Sequence, residues 1–166
     1  MEELIKELIE KNQTISTMES CTGGAIANEI TNIQDASKIL KFSAVTYSNE
    51  YKIKMGVDKE LIDKYTVYSK EVAMKMAKVI SDFTNSYYGV GVTGKLKKSD
   101  LNNPYGDDDK VYLSIYVKDK NIYYNEEIKL ISNGRRECKE EIIHIFVEKM
   151  LEIVNNLWKK ELIYLR

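Results

Sequence analysis

A strand pattern that runs through a polar turn and a glycine pair into a helix pattern constrains the fold of this chain more than any other feature. Residues 14–18 alternate in character as a short strand does, and residues 24–33 carry apolar side chains at helical spacing. The segment is therefore a β-to-α unit. Gly23 and Gly24 lack a Cβ, so a ligand can approach the backbone there, and the first N–H groups of a helix can bind an anion.

Helix and strand patterns continue to alternate along the chain. Apolar spacing predicts further helices at residues 4–9, 49–55, 59–64, 69–85 and 135–160. Apolar or β-branched runs predict strands at residues 39–48, 87–92, 111–117 and 122–130. The last two strands flank a short polar turn, which predicts an antiparallel hairpin. This order of elements predicts an α/β sandwich with a mixed sheet.

Length and charge limit the domain count and the partners. With 166 residues, 43% of them apolar, we predict one domain over residues 1–166. A formal net charge of −1 gives no general attraction for nucleic acid or an anionic membrane, so neither is expected as a partner. The acidic, amphipathic first residues and the lack of a long apolar run predict neither a signal peptide nor a membrane span, and hence a cytoplasmic protein.

The residues that could bind a metal are few and scattered. Cys21 and Cys138 are the two cysteines and His144 is the one histidine, with no CxxC spacing among them. We therefore expect no zinc site and no structural disulfide. Three consecutive aspartates at residues 107–109 are interpreted as a solvated loop rather than a cation site. The prediction is a protein without metal or cofactor.

Three segments with chemically useful side chains follow predicted strands, at residues 19–24, 47–52 and from 93 onward. Sites in open α/β sheets gather beyond the carboxyl ends of strands, so these segments are expected to meet in one crevice. Ser20 would lie at its mouth as a nucleophile, although a serine before a helix is also the ordinary N-cap. Cys21 is the rival nucleophile, since a thiol near a helix N-terminus can have a lowered pKa.

A serine needs a base to take its proton, and His144 lies isolated in a helix pattern. Lys52 is the most available base, provided that burial or a nearby cation lowers its pKa. Tyr47 could hydrogen-bond Ser20 or Lys52 and help to pass the proton. Taken alone, Lys52 is more typical of a solvated surface lysine, since the chain has 25 basic residues.

Two motifs resemble the CinA C-terminal domain family: Glu-Ser-Cys-Thr-Gly-Gly at residues 19–24 and Val-Thr-Tyr-Ser-Asn-Glu-Tyr-Lys at residues 45–52. Val92-Thr93-Gly94 continues the match, which holds over roughly residues 3–160. The resemblance implies a three-layer α/β/α sandwich of the CinA C-terminal type. The family includes stand-alone, PncC-type nicotinamide-nucleotide amidases, which hydrolyse the carboxamide of nicotinamide mononucleotide to the acid and ammonia. The resemblance also implies a homo-oligomer, with a dimer favoured.

The resemblance also implies roles for individual residues. Ser20 matches the nucleophile, Lys52 the base, Tyr47 a supporting hydroxyl and Thr93 a residue of the active-site loop. Backbone N–H groups near the first motif could hold either the oxyanion or the substrate phosphate. The residues that would bind substrate are Cys21, Thr22, Gly23, Gly24, Gly94 and Arg135. Arg136 is an alternative to Arg135, and either arginine could instead be solvated at a helix start.

The chain departs from the family after Gly94. Where the family usually continues with Ile-Ala-Gly-Pro, this chain has a polar loop over residues 95–109. Side chains there enter space that glycine leaves to a ligand, so the substrate or the activity is expected to differ. Lys95, Lys97 and Lys98 could contact a phosphate. The alternatives to an amidase are a non-catalytic nucleotide-binding or regulatory module and an interaction domain in which Ser20 only caps a helix.

Overall fold

The computed structural model describes residues 1–164, with side chains to residue 157, as a five-stranded sheet between two layers of helices. The helices are α1 Glu2–Glu10, α2 Ala25–Thr31, α3 Asn49–Lys54, α4 Lys59–Tyr65, α5 Lys70–Thr84 and α6 Arg135–Tyr164. The strands are β1 Ile15–Glu19, β2 Leu40–Val45, β3 Tyr88–Gly94, β4 Lys110–Val117 and β5 Ile122–Lys129. The three-layer α/β/α architecture predicted from the sequence is confirmed.

The sheet is mixed, in the order β2-β1-β3-β4-β5. Strands β2, β1 and β3 are parallel, whereas β4 is antiparallel to β3, and β5 pairs with β4 as the expected hairpin. Glu19 at the end of β1 pairs with Val45 on one side and Val92 on the other. The carboxyl ends of the three parallel strands therefore emerge side by side at one edge of the sheet.

Each face of the sheet is covered by its own set of helices. On one face, α1, α2 and α6 pack against alternate residues of the strands, among them Ile15, Val90 and Leu113. On the other face, α4 and α5 pack with Met18 of β1. Within residues 1–164, no helix combines the length and apolar character that crossing a membrane requires.

Alternate glycines in β3 allow α5 to lie directly on the sheet. Tyr88, Val90 and Val92 point into the core with α6, while Gly89 and Gly91 face α5. A Cβ on Gly89 would lie 1.9 Å from the carbonyl oxygen of Ala77, which is backbone and cannot move aside. At Gly89 and Gly91, the strand and the helix lie too close together for a side chain on the strand.

Gly89→Ala is therefore expected to lower the free energy of unfolding by about 1–3 kcal/mol, the usual cost of forcing extra atoms into a packed core. Chemical denaturation measures the change. Gly134→Ala is the control, because its new Cβ would meet only the flexible carboxylate of Glu137. We expect the control to cost less than about 1 kcal/mol. Equal losses in both variants would contradict the close-packing explanation.

Some element boundaries differ from the sequence prediction. β2 ends at Val45 rather than at residue 48, because the Ser48 hydroxyl accepts from the N–H of Tyr51 and caps α3. One-turn 3-10 helices occupy Ala36–Lys38 and Lys118–Lys120. α5 begins after Ser69, whose hydroxyl caps the helix by accepting from the N–H of Val72 at 3.3 Å.

Candidate functional site

A cleft of about 620 Å³ opens at the edge where the three parallel strands end. All three segments singled out in the sequence contribute to it. The predicted site residues that line it are Ser20, Cys21, Tyr47, Gly94 and Arg135. Its remaining lining comes from the start of α3, from Tyr68 and from the loop after β3, with Ser48, Asn49, Lys95, Leu96 and residues 98–103.

Ser20 and Lys52 form a buried pair at the base of this cleft. Lys52 Nζ donates to Ser20 Oγ at 2.9 Å, and both side chains are buried. This distance lies within the range of about 2.6–3.2 Å that proton transfer between a nucleophile and its base requires. Ser20 follows directly on β1, and Lys52 is carried by α3 after β2, so the parallel register of the two strands brings the pair together.

The environment of Lys52 is that of a lysine prepared to lose its proton. Its side chain is 1% exposed, and burial lowers its pKa from the usual 10.5 to about 8. A second hydrogen bond runs from Nζ to the carbonyl oxygen of Thr46 at 2.7 Å. In the neutral amine this carbonyl can take one N–H, which leaves the nitrogen lone pair free for the hydroxyl of Ser20.

Glu19 holds the turn that carries Ser20. Its carboxylate is fully buried and accepts from the N–H groups of Ile26 at 3.1 Å and Ala27 at 2.9 Å. Thr17 Oγ1 also donates to it. The Glu19 carboxylate thus occupies the place at the start of α2 where an anionic ligand could otherwise bind.

The glycine pair shapes the turn rather than lining the cleft. Gly23 and Gly24 adopt φ values of 63° and 90°, in the left-handed region that favours glycine. Neither they nor Thr22 line the cleft, and the fully buried Thr22 hydroxyl has no hydrogen-bond partner among the described residues. Gly23 N–H donates to the Ser20 carbonyl, whereas that of Cys21 donates to no oxygen in the described part of the chain.

Cys21 is not activated. Burial raises the pKa of its thiol to about 12, against a smaller opposing effect of the charge on Lys52. The thiol is therefore protonated near neutral pH and a poor nucleophile. Of the two candidates considered from the sequence, the geometry and the pKa both favour Ser20.

Tyr47 and Arg135 meet at the rim of the cleft. Tyr47 is 64% exposed, and its hydroxyl accepts from Arg135 Nη2 at 3.3 Å. The structure places that hydroxyl with Arg135 and records no bond from it to Ser20 or Lys52 among the described residues. Arg136 faces solvent, where it pairs with Glu140. Arg135 is thus the arginine that lines the cleft.

Thr93 lies behind the cleft and does not line it. Its buried hydroxyl donates to the carbonyl oxygen of Val67 at 2.9 Å. This bond ties the end of β3 to the segment between α4 and α5. The placement is that of a residue that supports the loop at Gly94.

The polar loop after Gly94 folds over the cleft and is anchored on both sides. Tyr68 donates its hydroxyl proton to Asp100, and Asn49 at the start of α3 donates to Asn103 at 2.8 Å. Lys95 is buried and bonds to Asp108 at 3.0 Å, so it stabilises the loop itself. Sequence reasoning missed these loop contacts, because residues 95–109 carry no periodic pattern that places their side chains.

Comparison with known proteins adds a family and a fold. The family model described as the CinA C-terminal domain matches residues 1–157. A competence-damage inducible protein of Clostridium kluyveri is 43% identical over 118 residues, which are 70% of this chain and 28% of that protein. One from Clostridium botulinum is 39% identical over 124 residues, 72% of this chain and 30% of that protein. The chain spans less than a third of the length of these curated relatives.

Solved structures with the same fold include two from bacteria. The competence/damage inducible protein of Agrobacterium tumefaciens is 28% identical, with a TM-score of 0.79 over 93% of this chain and 94% of that one. A CinA-superfamily protein of Klebsiella pneumoniae is 15% identical, with a TM-score of 0.85 over 93% and 95% of the two chains. The second likeness shows the fold alone.

Proposed function

The chain belongs to the CinA C-terminal domain family, and we propose that it is an amidohydrolase that deamidates nicotinamide mononucleotide or a related nucleotide amide. The observation that carries this proposal is the buried contact of 2.9 Å between Ser20 Oγ and Lys52 Nζ at the base of the cleft. A hydroxyl beside a lysine of lowered pKa is a nucleophile with its base, and it needs no metal.

Acylation begins with attack of Ser20 Oγ on the carbon of the carboxamide. Neutral Lys52 takes the hydroxyl proton, since its Nζ is already within hydrogen-bond distance. Lys52 then gives that proton to the amide nitrogen as the C–N bond breaks. Ammonia leaves, and the acid remains bound to Ser20 as an ester.

Deacylation uses the same pair, with water as the nucleophile and Ser20 Oγ as the leaving group. Lys52, neutral again, takes a proton from a water molecule whose oxygen attacks the ester carbon. The proton passes to Ser20 Oγ as the ester bond breaks, and the nucleotide acid is released. One water is consumed and one ammonia produced for each amide, and both residues return to their starting state.

The oxyanion that forms during the reaction and the phosphate of the substrate bind at different places. The N–H of Cys21 follows the nucleophile directly and has no oxygen acceptor among the described residues, so it suits the oxyanion. The start of α2 is already occupied by Glu19. We therefore assign the phosphate to the rim of the cleft, where Arg135 and Lys98 supply positive charge.

The test is to incubate the purified protein with nicotinamide mononucleotide and to measure ammonia and the acid product. We expect equal amounts of both. If neither appears with this nucleotide or with other pyridine and purine nucleotide amides, the hydrolase proposal is wrong.

Arg135→Ala is expected to raise the KM for the nucleotide about 10- to 100-fold, the usual range for losing a charged hydrogen bond. The kcat should change much less, since Arg135 is on the rim and not at the reacting bond. Arg136→Ala is a matched control, one residue along the same helix but outside the lining of the cleft, where it pairs with Glu140. Equal effects of the two substitutions would show that Arg135 has no specific role in phosphate binding.

A second candidate is a nucleotide-binding module without turnover. The loop over the cleft favours it, because Asn103 and Asp100 are fixed across space that glycines leave open in the family. Such a module would bind nicotinamide mononucleotide in calorimetry and release no ammonia. The two functions are thus separated by one pair of measurements.

A further inference from the structure

We propose that Asp100 makes the cleft selective for a nucleotide whose base carries a positive charge, as a pyridinium ring does. This inference rests on the function proposed above and names its substrate class more narrowly. It arises from the polar loop at residues 95–109, the segment in which this chain departs from the family pattern.

Asp100 is held in place by hydrogen-bond donors that favour its ionised form. Its Oδ1 accepts from the N–H of Asn102 at 2.9 Å, and its Oδ2 accepts from Asn103 Nδ2 at 2.9 Å and from the hydroxyl of Tyr68. These bonds lower the pKa of Asp100 to about 2, with the bond from Tyr68 as the largest cause. The group is anionic at any physiological pH.

The hydrogen bonds that hold Asp100 leave its charge in place. Among the described residues, Asp100 has no ion-pair partner, unlike Asp107 and Asp108 of the same loop, which pair with Lys110 and Lys95. The bonds that orient it come from neutral groups only. A carboxylate fixed in the lining of a cleft by neutral donors, with no ion-pair partner among the described residues, is complementary to a cation on the ligand.

The charge lies close to where the substrate must react. Asp100 lines the same cleft as Ser20, and its charge acts on Lys52, whose pKa it raises slightly against the larger effect of burial. In nicotinamide mononucleotide one ring atom separates the positive nitrogen from the carbon that carries the carboxamide. A carboxamide placed at Ser20 therefore brings the cationic ring into the field of Asp100.

Binding of an oxidised and a reduced ligand tests the proposal. Nicotinamide mononucleotide and its dihydro form share carboxamide, ribose and phosphate, but only the oxidised ring is positive. Calorimetry in a Ser20→Ala background prevents turnover and gives Kd for each. We expect tighter binding of the oxidised form, and Asp100→Asn should reduce that preference about 10-fold by weakening the oxidised form alone. The preference should also shrink with added salt.

Two further variants separate charge from structure. Tyr68→Phe removes a bond that orients Asp100 but keeps its charge, so it should reduce the preference for the oxidised form less than Asp100→Asn does. Asp107→Asn removes one charge from the same loop, at a residue that does not line the cleft, and should leave the preference unchanged.

The outcomes distinguish this inference from the function on which it rests. If Asp100→Asn weakens both forms equally, or neither, the selectivity proposal is overturned while the amidase proposal stands. If the Ser20→Ala protein binds neither form, and the unmodified protein releases no ammonia, the amidase proposal fails and the selectivity proposal fails with it.

Discussion

Ser20→Ala is expected to lower kcat for deamidation by about 10⁴-fold or more, the scale on which loss of a nucleophile acts. The hydroxyl lines the cleft and has its base already in contact, at 2.9 Å from Lys52. Substrate binding should change little, because the phosphate contacts lie at the rim. Steady-state ammonia release and calorimetric Kd measure the two effects separately.

Cys21→Ala is the control for this experiment. Its thiol is adjacent in sequence and lines the same cleft, but burial raises its pKa to about 12. We expect it to retain most of the activity, with a loss of stability from the small cavity in the core. A larger loss of kcat in Cys21→Ala than in Ser20→Ala would assign the nucleophile to the thiol.

The layers of the fold could be predicted because each element carries a local pattern. Apolar spacing in α1, α5 and α6 and the hairpin of β4 and β5 depend on residues near one another in sequence. Strand ends were less predictable: β2 stops at Val45 because Ser48 caps the next helix, a choice between two local structures that apolar content does not decide.

The site could be predicted only where its residues lie in motifs. Ser20 and Lys52 were expected to meet, since parallel strands deliver their ends to one edge. The role of Glu19 could not be foreseen, because a carboxylate next to a nucleophile suggests a catalytic group. In the structure it accepts from the first N–H groups of α2 and so caps that helix. The contact of Tyr68 with Asp100 could not be foreseen either, because it joins residues 32 positions apart across an irregular loop.

Lys52→Met is expected to lower kcat by about 10²- to 10⁴-fold, the usual contribution of a general base. In the unmodified protein, Lys52 must be neutral to accept the proton of Ser20. Because its pKa is about 8, kcat/KM should rise about 10-fold for each pH unit below that value and level off above it. Lys54→Met, two residues along the same helix and exposed, should leave both the rate and the pH profile unchanged.

The same substitution should alter how stability depends on pH. Lys52 has a folded pKa of about 8 and an ordinary value of 10.5, so between these values the unfolded chain holds a proton that the native protein has lost. Rising pH then disfavours the unfolded state, and the stability of the unmodified protein should increase relative to Lys52→Met across this window by up to about 3 kcal/mol. Denaturation of both proteins at pH 7 and pH 10 measures the difference. A constant difference would mean that Lys52 keeps its ordinary pKa of 10.5 in the fold, and a lysine with that pKa is so rarely neutral near pH 7 that it is a poor base for Ser20.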